Sequence, residues 1–364
     1  MAKCYISILC LFFFSLHADS RVQRGQNHKR NMWQAKVSHK MLNVPYVHTV
    51  FTVAHELNKL ALLNERVIYN ITMRAAWKCV KTVAADPENI GGLPGMICVL
   101  HTFGSDMKHH IHVHALITFG GISEDGTWCW PKRKNKIATY KEMSKTYRDT
   151  FLEMLNKEIK SGEIIPVANL TEILEEVKQK RWNVCNGKPT MDTNIIERYL
   201  ARYINRTAIS KSRLQYLKKQ DKIKSKVEIV YNDYRNQKTG EAAPKKTIKI
   251  APLVAINKFM MHVLPPYFQK SRHYGLHAPA TWKKQKDKIA QKLVRNPDTV
   301  GNLFALIKTL IKQDPVVCEK CKGEDFEIQP VRADVSWIFQ YITLPDLRGP
   351  PKFRTNIKTI IFDK

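Results

Sequence analysis

The stretch His101–Ile117, HTFGSDMKHHIHVHALI, decides how the rest of the chain is interpreted. Side chains alternate across a β-strand with a period of two, so a strand through its second half places His110, His112 and His114 on one face. The apolar residues Ala115 to Ile117 predict that this strand continues into a hydrophobic core. The stretch therefore predicts a core strand that carries a row of histidines.

A metal site is the simplest use for such a row. A His-x-His pair is a good chelate, because residues two apart on one strand can direct both imidazoles at a single ion. His110 and His114 lie about 13 Å apart along an extended chain, so the three histidines of the row cannot all reach one ion. A third ligand to join the chelating pair must come from a neighbouring segment, and His101 is well placed to supply it. His48, in another predicted strand, is the alternative.

The charge of the chain points to a polyanionic partner. Its 364 residues are 44% hydrophobic, with 60 Lys+Arg against 32 Asp+Glu and a formal net charge of +28. Nucleic acid is the natural partner of a folded protein with such an excess, because binding to backbone phosphates releases counterions. A generally basic soluble protein is the plainer alternative. Eight scattered cysteines are too few for a disulfide scaffold and indicate a reducing compartment.

A second candidate site lies on a helix predicted to run from about residue 193 to 207. Tyr199 and Tyr203 are four residues apart, so they share one face of the helix with about 6 Å of rise between them. Arginines repeat at the same spacing, at Arg198, Arg202 and Arg206. Two phenolic nucleophiles beside a row of arginines suit attack on a DNA phosphate. The alternative is that the tyrosines continue an apolar stripe and pack in the core.

Periodicity and turn residues predict the remaining elements. Strands are expected at 44–53, 96–100, 227–231 and 246–250, the last two as a hairpin. Helices are expected at 54–83, 140–160, 169–180 and 254–264. The expected fold class is α+β, with an antiparallel sheet that has the histidines on a central strand. The helices, including the tyrosine helix, are expected to pack on this sheet.

The histidine stretch and the tyrosine helix together resemble the signature of the two-tyrosine HUH transposases, the rolling-circle group of bacterial insertion sequences. His112-Val113-His114 followed by Ala-Leu-Ile resembles their HUH motif, and Tyr199-Leu-Ala-Arg-Tyr203 their tyrosine motif. Further matching stretches follow the same order: Val44-Pro-Tyr46, Val50-Phe-Thr52, His55-Glu-Leu57, Ala75-Ala-Trp77, Gly91-Gly92, Val99-Leu-His-Thr102, Arg206 with Ala208-Ile-Ser210, Val263-Leu-Pro265 and Arg272-His-Tyr-Gly275. The resemblance covers roughly residues 33 to 278.

The resemblance implies a DNA-nicking enzyme that acts on single-stranded DNA at transposon ends and target. Tyr199 or Tyr203 would attack the DNA, leaving a 5′-phosphotyrosyl link and a free 3′-hydroxyl. The covalent link retains the energy of the broken phosphodiester, so strand transfer needs no ATP. The residues then expected to bind the DNA backbone are Arg198, Arg202, Arg206 and Arg213.

The resemblance also bears on the metal. The spacing His101-x10-His112-x-His114 is similar to the three-histidine site of conjugative relaxases, a related HUH group, and favours His101 over His48 as the third ligand. His110 is then expected to lie beside the site or to face DNA, and His109 to be exposed to solvent. Three imidazoles alone would suggest Zn²⁺. The resemblance implies Mg²⁺ or Mn²⁺ as the working ion.

The two ends of the chain depart from the family pattern. Family members carry a Cys/His zinc module near the N-terminus, and here only Cys4 and Cys10 precede residue 33. Residues 1–18 resemble a short secretory signal, but the downstream motifs favour an atypical or replaced N-terminus. Near the other end, Cys318-x-x-Cys321 resembles half a zinc knuckle. The two cysteines either bind Zn²⁺ together with ligands from distant parts of the chain or are free thiols.

Three domains are predicted: 1–32, an atypical N-terminus; 33–280, the HUH catalytic domain; and 281–364, a basic region with the CxxC motif. The expected setting is the bacterial cytoplasm at the nucleoid, with no membrane partner, and the sequence does not predict an oligomeric state. The alternatives are a catalytically inactive single-strand DNA-binding remnant, a rolling-circle replication initiator or relaxase, and an exported protein with a structural metal.

Overall fold

The structure is a computed structural model that describes residues 41–192, 208–210, 213–217, 226–234 and 241–281. Several predicted features lie outside these residues, namely the N-terminal segment, the tyrosine helix with Tyr199, Tyr203, Arg198, Arg202 and Arg206, and the region of Cys318 and Cys321. In the described part of the chain, none of the helices combines the length and the apolar composition needed to span a membrane.

The described strands form antiparallel sheets. In chain order they are β1 Tyr46–Thr52, β2 Gly95–Phe103, β3 His109–Thr118, β4 Gly121–Ile122, β5 Trp128–Cys129, β6 Val184–Asn186, β7 Leu214–Leu217, β8 Lys226–Asn232, β9 Lys245–Ile250 and β10 Ser271–Gly275. The main sheet has the strand order β10-β2-β3-β1-β6, a second sheet has the order β7-β8-β9, and β4 pairs with β5. The predicted α+β class with antiparallel pairing is confirmed.

The described helices match most of the predicted ones. After a 3-10 turn at His55–Leu57, they are α1 Asn58–Leu63, α2 Glu65–Ala85, α3 Tyr140–Lys160, α4 Leu170–Gln179 and α5 Pro252–Met260. The helix predicted at 54–83 is interrupted at Asn64, whose side-chain amide bonds the backbone N–H and carbonyl of Ile165. The helix predicted at 254–264 ends earlier, at Met260, because the chain leaves it in 3-10-type turns that include the bond from Val263 N–H to the Met260 carbonyl.

The two faces of the main sheet have different roles. One face carries the apolar side chains of alternate positions and packs on α2 and α3 in the main core, as Phe51 does against Tyr147 of α3, with ring centroids 5.1 Å apart. The opposite face carries His112 and His114, and then Leu116, which belongs to a smaller apolar cluster. A period of two thus separates a helix-covered face from a histidine-bearing face.

Candidate metal centre

The hairpin of β2 and β3 brings His101 and His112 together. The two residues are direct partners in the antiparallel register, so their Cβ atoms lie about 5 Å apart on the same face. The turn between the strands is closed by a bond from Gly104 N–H to the Lys108 carbonyl, 3.0 Å. His114 is the next residue of β3 on this face. A hairpin register thus supplies the third histidine that the spacing predicts.

The three imidazoles of His101, His112 and His114 form one compact cluster. One ring nitrogen from each lies within 4.8 Å of the others, and among the described residues this is the only His/Cys/Asp/Glu group that could hold a metal ion. The ring centroids are 4.8 Å apart for His101 and His114 and 4.9 Å for His112 and His114. His101 and His114 are buried, whereas His112 is half-buried. The cluster is therefore anchored in the sheet and open on the side of His112.

Hydrogen bonds orient two of these rings. Nδ1 of His112 lies 2.9 Å from the His110 carbonyl, to which it donates. Nδ1 of His114 lies 3.1 Å from Nε2 of His48. When both Nδ1 atoms carry the proton, the lone pair that a metal needs is on Nε2 of each ring. Burial lowers the pKa of His48 to about 4, so near neutral pH its ring is uncharged and can accept this bond.

The donor set fits a divalent transition metal. Three neutral imidazoles bind such ions well, whereas Mg²⁺ prefers oxygen ligands. With bonds of about 2.1 Å, three nitrogens around one ion lie roughly 3.0–3.4 Å apart. The ligand nitrogens, which lie within 4.8 Å of one another, would have to approach by about 1 Å or more at the widest pair. Small side-chain rotations allow a movement of this size. The half-buried side at His112 gives room for oxygen ligands from water or phosphate.

The expectation that His109 is exposed is wrong. Only 8% of it is exposed, because it lies on the face of β3 opposite to the cluster, on the helix side of the sheet. Its Nε2 is 3.1 Å from the hydroxyl of Tyr69, and burial lowers its pKa to about 4. The alternation that groups His110 with His112 already assigns His109 to the other face. His110 is half-buried beside the cluster.

Arg213 joins the second sheet to the hairpin that carries the histidines. Its guanidinium donates to the Val230 carbonyl at 2.7 Å and to the Ser105 carbonyl in the β2–β3 turn. The hydroxyl of Ser105 in turn donates to the Asn232 carbonyl at 2.6 Å. Arg213 therefore links β8 to the β2–β3 turn. Its contact with DNA stays a prediction.

A cavity of about 280 Å³ lies beside His101. It is lined by Leu100, His101, Thr102, Phe103, Ala208, Phe259, His262, Val263, Leu264 and Lys270. Ala208 and Ile209 are buried, and they are the first described residues after the predicted tyrosine helix. Ala208, five residues after Tyr203 in the sequence, therefore lies beside His101.

The fold and the site define a class: an α+β protein in which an antiparallel hairpin carries a three-histidine cluster. The family model Y2_Tnp, described as "Putative transposase", matches residues 95–286, more than half of the chain, and the chain belongs to this family. The match includes both strands of the hairpin and the predicted tyrosine helix. The resemblance to transposases inferred from the motifs is confirmed.

Two curated relatives carry transposase names. The chain is 28% identical over 271 residues to "Putative transposase y4qJ" of Sinorhizobium fredii, covering 72% of this chain and 66% of that protein. It is 23% identical over 302 residues to "Transposase for insertion sequence element IS801" of Pseudomonas savastanoi pv. phaseolicola, covering 80% and 69%. The chain thus spans about two thirds of the length of these relatives. No solved structure gives a significant match.

Proposed function

We propose that this chain is a metal-dependent DNA transposase that nicks and rejoins single-stranded DNA at transposon ends through a 5′-phosphotyrosine intermediate. The observation that carries the proposal is the cluster of His101, His112 and His114 on one hairpin, within a chain of the transposase family. The formal charge of +28 supports a nucleic-acid partner. The transposase names of the relatives agree with this assignment.

The proposed chemistry uses the phenol of Tyr199 or Tyr203 as the nucleophile. Its oxygen forms a bond to phosphorus while the bond to the 3′ oxygen breaks, and the phenol proton ends on the leaving 3′-hydroxyl. The reverse reaction, attack of a 3′-hydroxyl on the phosphotyrosine, rejoins the strand. His101, His112 and His114 would hold the divalent ion, which, when bound, supplies Lewis-acid polarisation of the scissile phosphate.

Chain reach supports the pairing of these tyrosines with the histidine cluster. Ala208 lines the cavity that His101 also lines. Tyr203 precedes Ala208 by five residues, which span at most about 18 Å when fully extended. This chain length permits a phenol at position 203 to reach the cluster.

A covalent-adduct assay tests the proposal. The full chain is incubated with a labelled single-stranded oligonucleotide of a transposon end and Mn²⁺, and a protein–DNA adduct is sought on a denaturing gel. We expect an adduct with the wild type, none with the Tyr199→Phe/Tyr203→Phe double variant, and an unchanged yield with Tyr267→Phe, a control at a tyrosine that is 84% exposed. No adduct with wild type, or an undiminished adduct with the double variant, overturns the proposal.

A further inference from the structure

The β4–β5 hairpin is followed by an exposed tryptophan that lies beside a half-buried one. Trp128 is half-buried against the smaller apolar cluster of the main sheet. Trp130 is 55% exposed, and its ring meets that of Trp128 edge-on, with centroids 5.9 Å apart and 74° between the planes. One indole thus anchors the segment while the other offers a face to solvent.

The backbone holds this hairpin firmly. Leu93 and Ile122 exchange two backbone hydrogen bonds, 2.7 and 2.9 Å long. Gly121 packs so closely that a Cβ on it would lie 2.8 Å from the backbone of Leu93. Beyond Trp130, the Lys132 N–H donates to the Asn89 carbonyl at 2.9 Å. The segment that carries Trp130 is therefore tied on both sides to the loop that joins α2 to β2, which lowers the entropic cost of using it as a contact surface.

The hairpin packs on the same face of the sheet as the histidine cluster. Trp128 contacts the apolar cluster that contains Val99 and Leu116. Val99 is the register partner of His114, and Leu116 follows His114 by two residues, so all three side chains share one face. Leu116 lies only about 7 Å along the strand from His114. A strand whose phosphate lay at the cluster could therefore run toward the hairpin.

Cationic side chains follow Trp130 directly. Lys134 and Lys136 are exposed, and neither one takes part in the ion pairs found among the described residues. Lys132 is paired with Glu88 at 3.0 Å on the surface. The acidic residues of the hairpin, Glu124 and Asp125, lie in its turn at the end away from Trp130. The surface around Trp130 thus combines an aromatic face with positive charge.

We propose that Trp130 stacks on an unpaired base of the DNA strand, and that Lys134 and Lys136 bind the phosphates beside that base. Single strands suit this surface because their bases expose π-faces that a duplex covers, and aromatic residues next to cations are the usual means of binding them. The proposal rests on the proposed function for the choice of DNA as partner. It adds a binding surface away from the histidine cluster and independent of cleavage.

Binding measured without cleavage tests the surface. A fluorescent oligonucleotide is titrated with the full chain in EDTA, and the dissociation constant is obtained from anisotropy. Trp130→Ala should weaken binding by roughly 5- to 150-fold, the range expected for one base stack. Trp130→Phe should recover part of the loss and guards against misfolding. Tyr267→Ala, at a tyrosine that is 84% exposed, is the matched control and should bind as wild type does.

Two further readouts separate stacking from charge. With an abasic site scanned along the oligonucleotide, one position should weaken wild-type binding and leave Trp130→Ala unaffected. Trp130→Ala should keep the wild-type salt dependence, whereas the Lys134→Gln/Lys136→Gln double variant should make the slope of log K against log salt less steep by about 1.4.

Wild-type affinity in Trp130→Ala, or an equal loss in Tyr267→Ala, overturns the surface proposal. Because these assays contain no metal, they are scored separately from the covalent adduct. If binding depends on Trp130 but the protein forms no covalent adduct, the proposed nicking activity is contradicted and the proposed binding surface is supported.

Discussion

Nε2 of His48 lies 3.1 Å from Nδ1 of His114, and the two rings stack with centroids 5.3 Å apart and 17° between their planes. His48 comes from β1, the strand that pairs with β3 on the side away from His101. The candidate metal cluster is thus supported by a third strand, through a histidine outside the set of three. Partners of this kind fix the tautomer and orientation of a ligand and raise its basicity.

Replacing His48 should therefore weaken metal binding without removing a ligand. We expect His48→Ala to raise the dissociation constant for Mn²⁺ by about 10- to 100-fold, the usual cost of losing such a partner. His48→Gln, whose amide oxygen can accept from His114, should lose less. Calorimetric titration measures both, with the exposed His55→Ala as control. Unchanged affinity in His48→Ala would show that the contact does not orient the ligand.

His109 should make the protein less stable in acid. Its pKa is lowered from 6.5 to about 4 by burial, so between these values the unfolded chain binds more protons than the folded one. The free energy of unfolding is therefore unaffected by His109 above pH 6.5. It decreases as the pH falls from 6.5 toward 4, by about 3 kcal/mol at most. Urea unfolding at pH 7, 5.5 and 4.5 should show a shallower pH dependence in His109→Gln than in wild type.

The control for this effect is Asn135→Gln, because Asn135 is exposed and does not ionise. It should retain the wild-type pH dependence. If His109→Gln retains it as well, burial of His109 does not contribute to acid sensitivity.

Gly275 should not tolerate a side chain. Its φ is +58°, and a Cβ there would lie 2.0 Å from the Pro94 carbonyl oxygen and 2.5 Å from the Trp77 ring. We expect Gly275→Ala to lower the free energy of unfolding by about 3 kcal/mol or more, from overpacking and backbone strain together. Gly126→Ala is the matched control, because its φ is +89° and its Cβ would meet nothing within 4 Å. It should cost only about 1 kcal/mol, and equal losses in denaturant unfolding would contradict this account.

Arg213 should contribute to stability through its two carbonyl contacts. Arg213→Ala removes a charged donor from the Val230 and Ser105 carbonyls, and we expect a loss of about 1.5–3 kcal/mol in the free energy of unfolding. Arg213→Lys should recover little, because one ammonium group cannot reproduce the planar fork. Lys226→Ala, an exposed change on β8, should be nearly neutral. A neutral Arg213→Ala would show that these contacts add nothing to the fold.

The histidine hairpin was predictable because its information is local. Alternation along β3 places His112 and His114 on one face, and the short spacing to His101 allows a hairpin that sets it opposite His112. The predicted helices α3 and α4 are equally local, since each is an amphipathic run with its own boundaries. Alternation applied without exception would also have predicted that His109 is buried.

The edge strands were not predicted, because their formation depends on distant partners. β10, with the sequence SRHYG, is polar and short, and it becomes a strand only by pairing with β2. Its role explains two of the motifs that resemble the family. Tyr274 of β10 stacks on Trp77 of α2, with centroids 5.5 Å apart and 10° between the planes. Two motifs far apart in the sequence thus form one packing contact that no local pattern reveals.

The most direct test of the central claim is the dependence of covalent-adduct formation on Mn²⁺ in wild type and in the His112→Ala/His114→Ala variant. Both proteins are first shown to unfold cooperatively, and each is then incubated with the labelled single strand over a range of Mn²⁺ concentrations. We predict that wild type forms the adduct with Mn²⁺ and not in EDTA, and that the variant forms none at any concentration. An adduct in EDTA, or one of equal yield in the variant, would contradict a DNA-nicking centre built on these histidines.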